Sequence, residues 1–232
     1  MNRILIAALG AGALFAFSSF AQDTGTMETV VVSGVRGDAE SVPHATLVRR
    51  ADHVITTIRV TCDTRDYKAR TAELRDTLRN LIREAAKSKT ISLGVGNGVL
   101  QPFDEAKIDK IITPDSRPDT SMATIVVKTA ITKEDSFDGA TQRITDFVQK
   151  TPKIGRSEIL NDKNWELTIV GPQQYHSAVA AKIAEETKQL SALFGSDYGV
   201  HIEGLEHPVA WYRSGLLDLA LYIPFALKIE PR

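Results

Sequence analysis

A single cysteine, Cys62, stands in a chain of 232 residues, so no disulfide can form within it and its stability must come from packing. Neither charge is in excess, with 28 Lys and Arg against 29 Asp and Glu. Such a balance provides no field to draw in DNA, RNA or anionic lipid, and nucleic acid is not an expected partner. Long apolar runs are missing after the first 21 residues, so no transmembrane segment is expected in the rest of the chain.

Catalytic signatures are also missing. No Gly-x-Ser-x-Gly elbow occurs, and Ser214 in Arg213-Ser214-Gly215 lacks a strand-turn-helix setting. Gly94-Val95-Gly96-Asn97-Gly98 lacks both the dinucleotide spacing and the terminal Gly-Lys-Ser/Thr of a phosphate loop, and it reads as a glycine-rich strand or bulge. His44, His53, His176, His201 and His207 form no zinc motif. A tight turn at Gly204 would bring His201 and His207 together with Glu203 or Glu206, but exposed histidines near a turn are the simpler reading. Asp63 and Asp66 read as a turn and a helix cap rather than paired acids. Cys62, with no second thiol, reads as a small apolar strand residue. No catalytic, cofactor-binding or metal-binding residue is therefore assigned, and no enzyme is expected.

What is present begins with an address. Asn2-Arg3, an apolar run over residues 4–17 and the exit Ser19-Phe20-Ala21 make a secretory signal peptide, with cleavage expected before Gln22. Gln22-Asp23 follow without a basic stop-transfer cluster, and no lipobox cysteine follows the run. A periplasmic or secreted location is expected.

Residues 22–50 read as a leader containing a strand at 28–34 (ETVVVSG), which belongs with the domain at 51–232, and a loop at 36–50. Residues 51–64 alternate as a half-buried strand, with a phase slip near Ile55 to Ile58. Leu74, Leu78, Leu81, Ile82 and Ala85 fall on one face of a helix over 66–86, with Asp66 as its cap. Arg75, Arg79 and Arg83 stripe another face, which Glu73, Asp76 and Glu84 partly neutralise.

A strand at 90–101, a loop or short helix at 105–111 and a strong strand at 122–132 follow. A second helix at 136–149 is built on Phe137, Ala140, Ile144, Phe147 and Val148. Residues 157–160 and 165–170, around the turn composition Asn161-Asp162-Lys163-Asn164, predict a hairpin. The third helix, 173–194, should bury Val179, Ile183, Leu190 and Leu193, and Gly195 should end it. Strands at 199–205 and 216–229 close the chain, with Pro224 marking an edge or bulge in the last. Consecutive strands with three helices predict an α+β fold, a mostly antiparallel sheet with its helices on one side.

Glu28-Thr29-Val30-Val31-Val32-Ser33-Gly34, the run ADHVITTIRV at 51–60 with Asp63-Thr64-Arg65-Asp66, and the helix behind it resemble the SIMPL-domain family of exported bacterial proteins. The helix at 178–193, Gly195 and the strands at 199–205 and 219–229 follow the same order. The resemblance implies an exported α+β domain of unknown function. Residues 28–36 are also similar to the start of the mature region of TonB-dependent outer-membrane receptors, but this chain is too short to supply a receptor barrel beside a plug.

Trp211, Tyr212 and the apolar run from Leu216 to Phe225 suit core packing, a subunit interface or contact with a membrane surface. The expectation is a non-enzymatic envelope protein acting as a homo-oligomer or on an envelope protein partner. The alternative is a periplasmic carrier of a small apolar ligand or lipid.

Overall fold

The computed structural model describes residues 45–96 and 100–232. The expected signal sequence, the strand expected at 28–34, His44 and the Asn97-Gly98 part of the glycine-rich segment lie outside these residues.

Alternation places strand β2 at the centre of the fold. In β2 (His53–Cys62), Val54, Ile58, Val60 and Cys62 face inward at 1% exposure or less, while Thr57 and Arg59 face outward. It pairs antiparallel along its whole length with β6 (Ser121–Ala130), from His53 opposite Ala130 to Cys62 opposite Ser121. One continuous register runs through the residues where a phase slip was expected. Ile55 faces outward in that register, and it is buried because Leu100 and Val126 cover it.

On the far side of β6 lies β3 (Ile91–Val95), followed by the two-residue β4 (Gln101–Pro102). The short β5 (Thr113–Pro114) pairs with the start of β6. Between β4 and β5 a 3-10 turn at Glu105–Lys107 leads into the single-turn helix α2 (Ile108–Ile111).

Two long helices cover the inner face of this sheet. The first, α1 (Tyr67–Lys87), starts where the Asp66 carboxylate accepts the Ala69 N–H at 2.8 Å, and it buries Leu74, Leu78 and Leu81 completely. Each of these leucines stabilises the fold by about 1.5–3 kcal/mol. The other cover is α3 (Phe137–Lys150), capped by Ser136 and inserting Ala140, Ile144, Phe147 and Val148.

The predicted hairpin does not form. β7 (Ser157–Asn161) and β8 (Glu166–Thr168) both run antiparallel to β2, one beside residues 58–62 and the other beside residues 53–55. The turn composition between them makes a bulge. Asn161 Oδ1 accepts the Lys163 N–H at 2.9 Å, Lys163 takes a φ of 54°, and the chain returns to the same neighbour.

The expected loop at 36–50 contains a strand, β1 (Leu47–Arg50), which leaves the main sheet and pairs with β11 (Asp218–Tyr222). Its Arg49-Arg50 end hid it, because an edge strand tolerates charge. β11 is central, with β10 (Ala210–Arg213) on its other side, so Trp211 and Tyr212 are strand residues.

The long C-terminal strand is two strands in two sheets. The chain breaks at Ile223-Pro224-Phe225, and β12 (Ala226–Pro231) pairs only with β9 (Tyr198–Glu203) among the described residues. Pro224 therefore separates strands instead of marking an edge within one.

The last helix, α4 (His176–Phe194), follows a 3-10 turn that begins at Pro172, and it packs on β1 and β9. Every strand pair described is antiparallel, so the class is α+β. One apolar cluster joins Ile58 and Leu78 of the main sheet layer to Val179, Ile183, Leu219, Leu221 and Ile223.

Candidate functional site

The side chains weighed in the sequence are scattered and mostly engaged. Asp66 is the α1 cap, and Asp63 holds Arg156 in a two-pronged ion pair at 2.6 and 2.9 Å, which lowers the Asp63 pKa. Ser214 sits in the β10–β11 turn, its N–H donating to the Asp218 carbonyl.

The turn at Gly204 does form. Its φ is 96°, and a Cβ there would lie 2.9 Å from the Pro224 carbonyl. The turn commits His207, whose Nδ1–H donates to that carbonyl at 2.9 Å, while His201 lies 3.2 Å from Glu203 on β9. His176 donates from Nε2 to the Leu205 carbonyl at 2.8 Å. Burial lowers the His53 pKa, with Asp52 opposing the shift. Among the described residues no group of three His, Cys, Asp or Glu side chains is placed to hold a metal ion. In the arginine stripe, Arg75 pairs with Asp109 at 2.7 Å and Arg79 with Asp76 at 2.8 Å.

A polar knot around Cys62 was not foreseen. Ser121, Cys62 and Ser157 form a row across β6, β2 and β7, beneath α1. The Cys62 thiol donates to Glu73 Oε2 at 3.3 Å, the Thr64 hydroxyl donates to the same oxygen at 2.7 Å, and the Arg156 N–H does so at 3.0 Å. These three donors, the Arg156 N–H foremost, hold the Glu73 pKa below the ordinary glutamate range. Arg70 donates to Ser121 Oγ at 3.0 Å and to the Thr64 carbonyl at 2.8 Å.

The knot joins the end of β2, α1 and the loop before β7. Cys62 is 1% exposed, so no reactant reaches its sulfur without opening the fold. The sequence signal for this network is the Cys62-x-Thr64 pair followed by Glu73 two helical turns past the Asp66 cap, which is generic.

Among the described residues two hollows are open, one of them lined by charge. A groove of about 280 Å3 between the C-terminal ends of α1 and α3 carries Glu84, Lys87, Arg143, Asp146 and Lys150 over Ile91 and Phe147. Lys87 is paired with Glu84 at 2.5 Å, and Arg143 is held by Asp135. The other, about 110 Å3, lies beside Gly94, Leu100 and Lys128 on the outer face of the sheet.

Among the described residues, four exposed large apolar side chains, Leu190, Leu193, Phe194 and Tyr198, lie together at the end of α4 and the start of β9. Of the helix face expected inside, Val179 and Ile183 are buried, whereas Leu190 is 42% and Leu193 80% exposed. The helix runs past the core that would cover its last turns. Phe194, also exposed, meets Tyr198 of β9 edge to face at 6.2 Å.

Beneath the helix the ribbon is two-faced. Val200, Ile202, Leu227 and Ile229 are half-buried on one side, while His201, Glu203, Lys228 and Glu230 lie on the other. Among the described residues neither strand has a further neighbour, so each presents an open edge.

No protein-family model matches the chain, and no curated protein matches its sequence.

Proposed function

We propose that this chain is an exported, non-enzymatic envelope protein that works by associating with copies of itself. The observation that carries the reading is the ribbon of β9 and β12 with the exposed end of α4. A two-stranded ribbon is marginal on its own in water, and exposed apolar side chains such as Leu193 and Phe194 beside open strand edges are costly to leave solvated.

Export rests on the signal sequence of residues 1–21, and the SIMPL-domain resemblance agrees with an envelope location. No helix among the described residues is long and apolar enough to cross a membrane.

The carrier reading would need an apolar chamber between helices and sheet. That space holds Ile58, Leu74, Leu78, Ile125 and Ile144 at zero exposure, and the groove between α1 and α3 is lined by lysines, Arg143 and carboxylates. Self-association is therefore the better supported of the two.

Light scattering on the purified protein tests it. A mass above that of one chain is expected at micromolar concentration, and a single-chain mass at every concentration reached would reject it.

A further inference from the structure

We infer that two copies join through the outer edge of β12, antiparallel and centred on Ile229, to make one four-stranded sheet from two ribbons. This rests on the self-association proposed above and names the surface and the register.

The free edge identifies which residues would pair. The Arg232 N–H donates to the Asp197 carbonyl at 2.9 Å, which continues the β12–β9 ladder. By the alternation of an antiparallel ladder, Glu230, Lys228 and Ala226 also turn their backbone groups toward β9. Leu227, Ile229 and Pro231 therefore direct theirs to the open edge. Two copies related by a two-fold axis at Ile229 exchange bonds between the Ile229 N–H and the Ile229 carbonyl of the other copy. The Leu227 N–H donates to the Pro231 carbonyl of the other copy, and the Leu227 carbonyl, facing a proline nitrogen with no N–H, is left without that bond.

The side chains select this register. With Ile229 opposite itself, Lys228 lies opposite Glu230 of the other copy, and Glu230 opposite its Lys228, on the charged face. Leu227 lies opposite Pro231 on the apolar face. Centring on Lys228 or Glu230 instead sets like charges against each other. The β9 edge offers no such match: pairing about Val200, its equivalent register, sets Glu203 against Asp197 of the other copy, and pairing about His201 sets His201 against itself. A two-fold contact closes on itself, and Pro231 discourages the edge from pairing further along its length.

Charge reversal tests the register. Lys228 and Glu230 are exposed, and the Lys228–Glu203 pair within the ribbon, at 3.4 Å, is a surface pair whose loss leaves the fold intact. Lys228→Glu and Glu230→Lys are each expected to weaken self-association about tenfold or more, because both symmetric pairs turn from attraction to repulsion. An equimolar mixture of the two variants should associate as the unaltered protein does, because each strand then faces its opposite. The double variant should also recover. If both single variants associate like the unaltered protein, the register is overturned while self-association through another face stands. If the unaltered protein is itself monomeric, both inferences fall.

Discussion

Glu73 shows how one carboxylate ties three segments together. Its pKa is depressed by the Arg156 N–H, the Thr64 hydroxyl and the Cys62 thiol, so the stability it adds is fully present above the ordinary glutamate pKa and is lost as pH falls through the lowered folded value. Glu73→Gln should therefore flatten the acid side of the stability profile, measured by denaturant melts across pH. A profile of unchanged shape would show that the knot does not hold the fold.

Gly155 lies against the same carboxylate, with a φ of 57° and room for a Cβ only 2.1 Å from Glu73 Cδ. Gly155→Ala should cost about 1–2 kcal/mol for the left-handed backbone, plus the displacement of Glu73. Combined with Glu73→Ala, its cost should be less than additive, which a double-mutant cycle of melts would detect.

Cys62 fits the apolar strand residue read from the sequence, and its hydrogen bond to Glu73 is an addition. Cys62→Ala should cost about 1 kcal/mol and leave the mass in solution unchanged. Loss of association in that variant under oxidising conditions would reveal a disulfide between chains.

Among the elements, those with strong periodicity were legible. The leucines of α1, the aromatic-rich face of α3 and the alternation of β2 and β6 each mark a buried face, and burial decides them. What was not legible depended on partners far away in sequence. Whether residues 157–168 reverse or bulge is decided by β2, which offers one edge long enough for both segments. Whether residues 216–229 form one strand is decided by which sheet each half joins. The knot at Cys62 was missed because Glu73 and Arg156 lie 83 residues apart in the chain.

β11 resolves the choice left open for the C-terminal apolar run. Leu219, Leu221 and Ile223 are at most 1% exposed, so this half is core. Leu221→Asp should abolish the cooperative melt, as should ending the chain after Arg213, which removes the strand between β1 and β10. By contrast, Leu193→Asp, on a side chain 80% exposed, should leave the melting temperature unchanged at concentrations where the protein is a single chain. A destabilisation of more than about 1 kcal/mol there would mean that the end of α4 is packed within the single chain.

At the scale of the molecule, one large core joins the three sheets of the described residues, and the end of α4 beside the ribbon runs past it into solvent. Without a disulfide to fasten it, that part gains stability most directly by burial against another copy. N-terminal sequencing of the protein from the envelope fraction should begin at Gln22, and a retained Met1 would contradict export. The central claim meets its most direct test in sedimentation equilibrium of the unaltered protein over a range of concentrations. The weight-average mass is predicted to rise from that of one chain toward that of a dimer, whereas a mass fixed at one chain throughout would contradict the account.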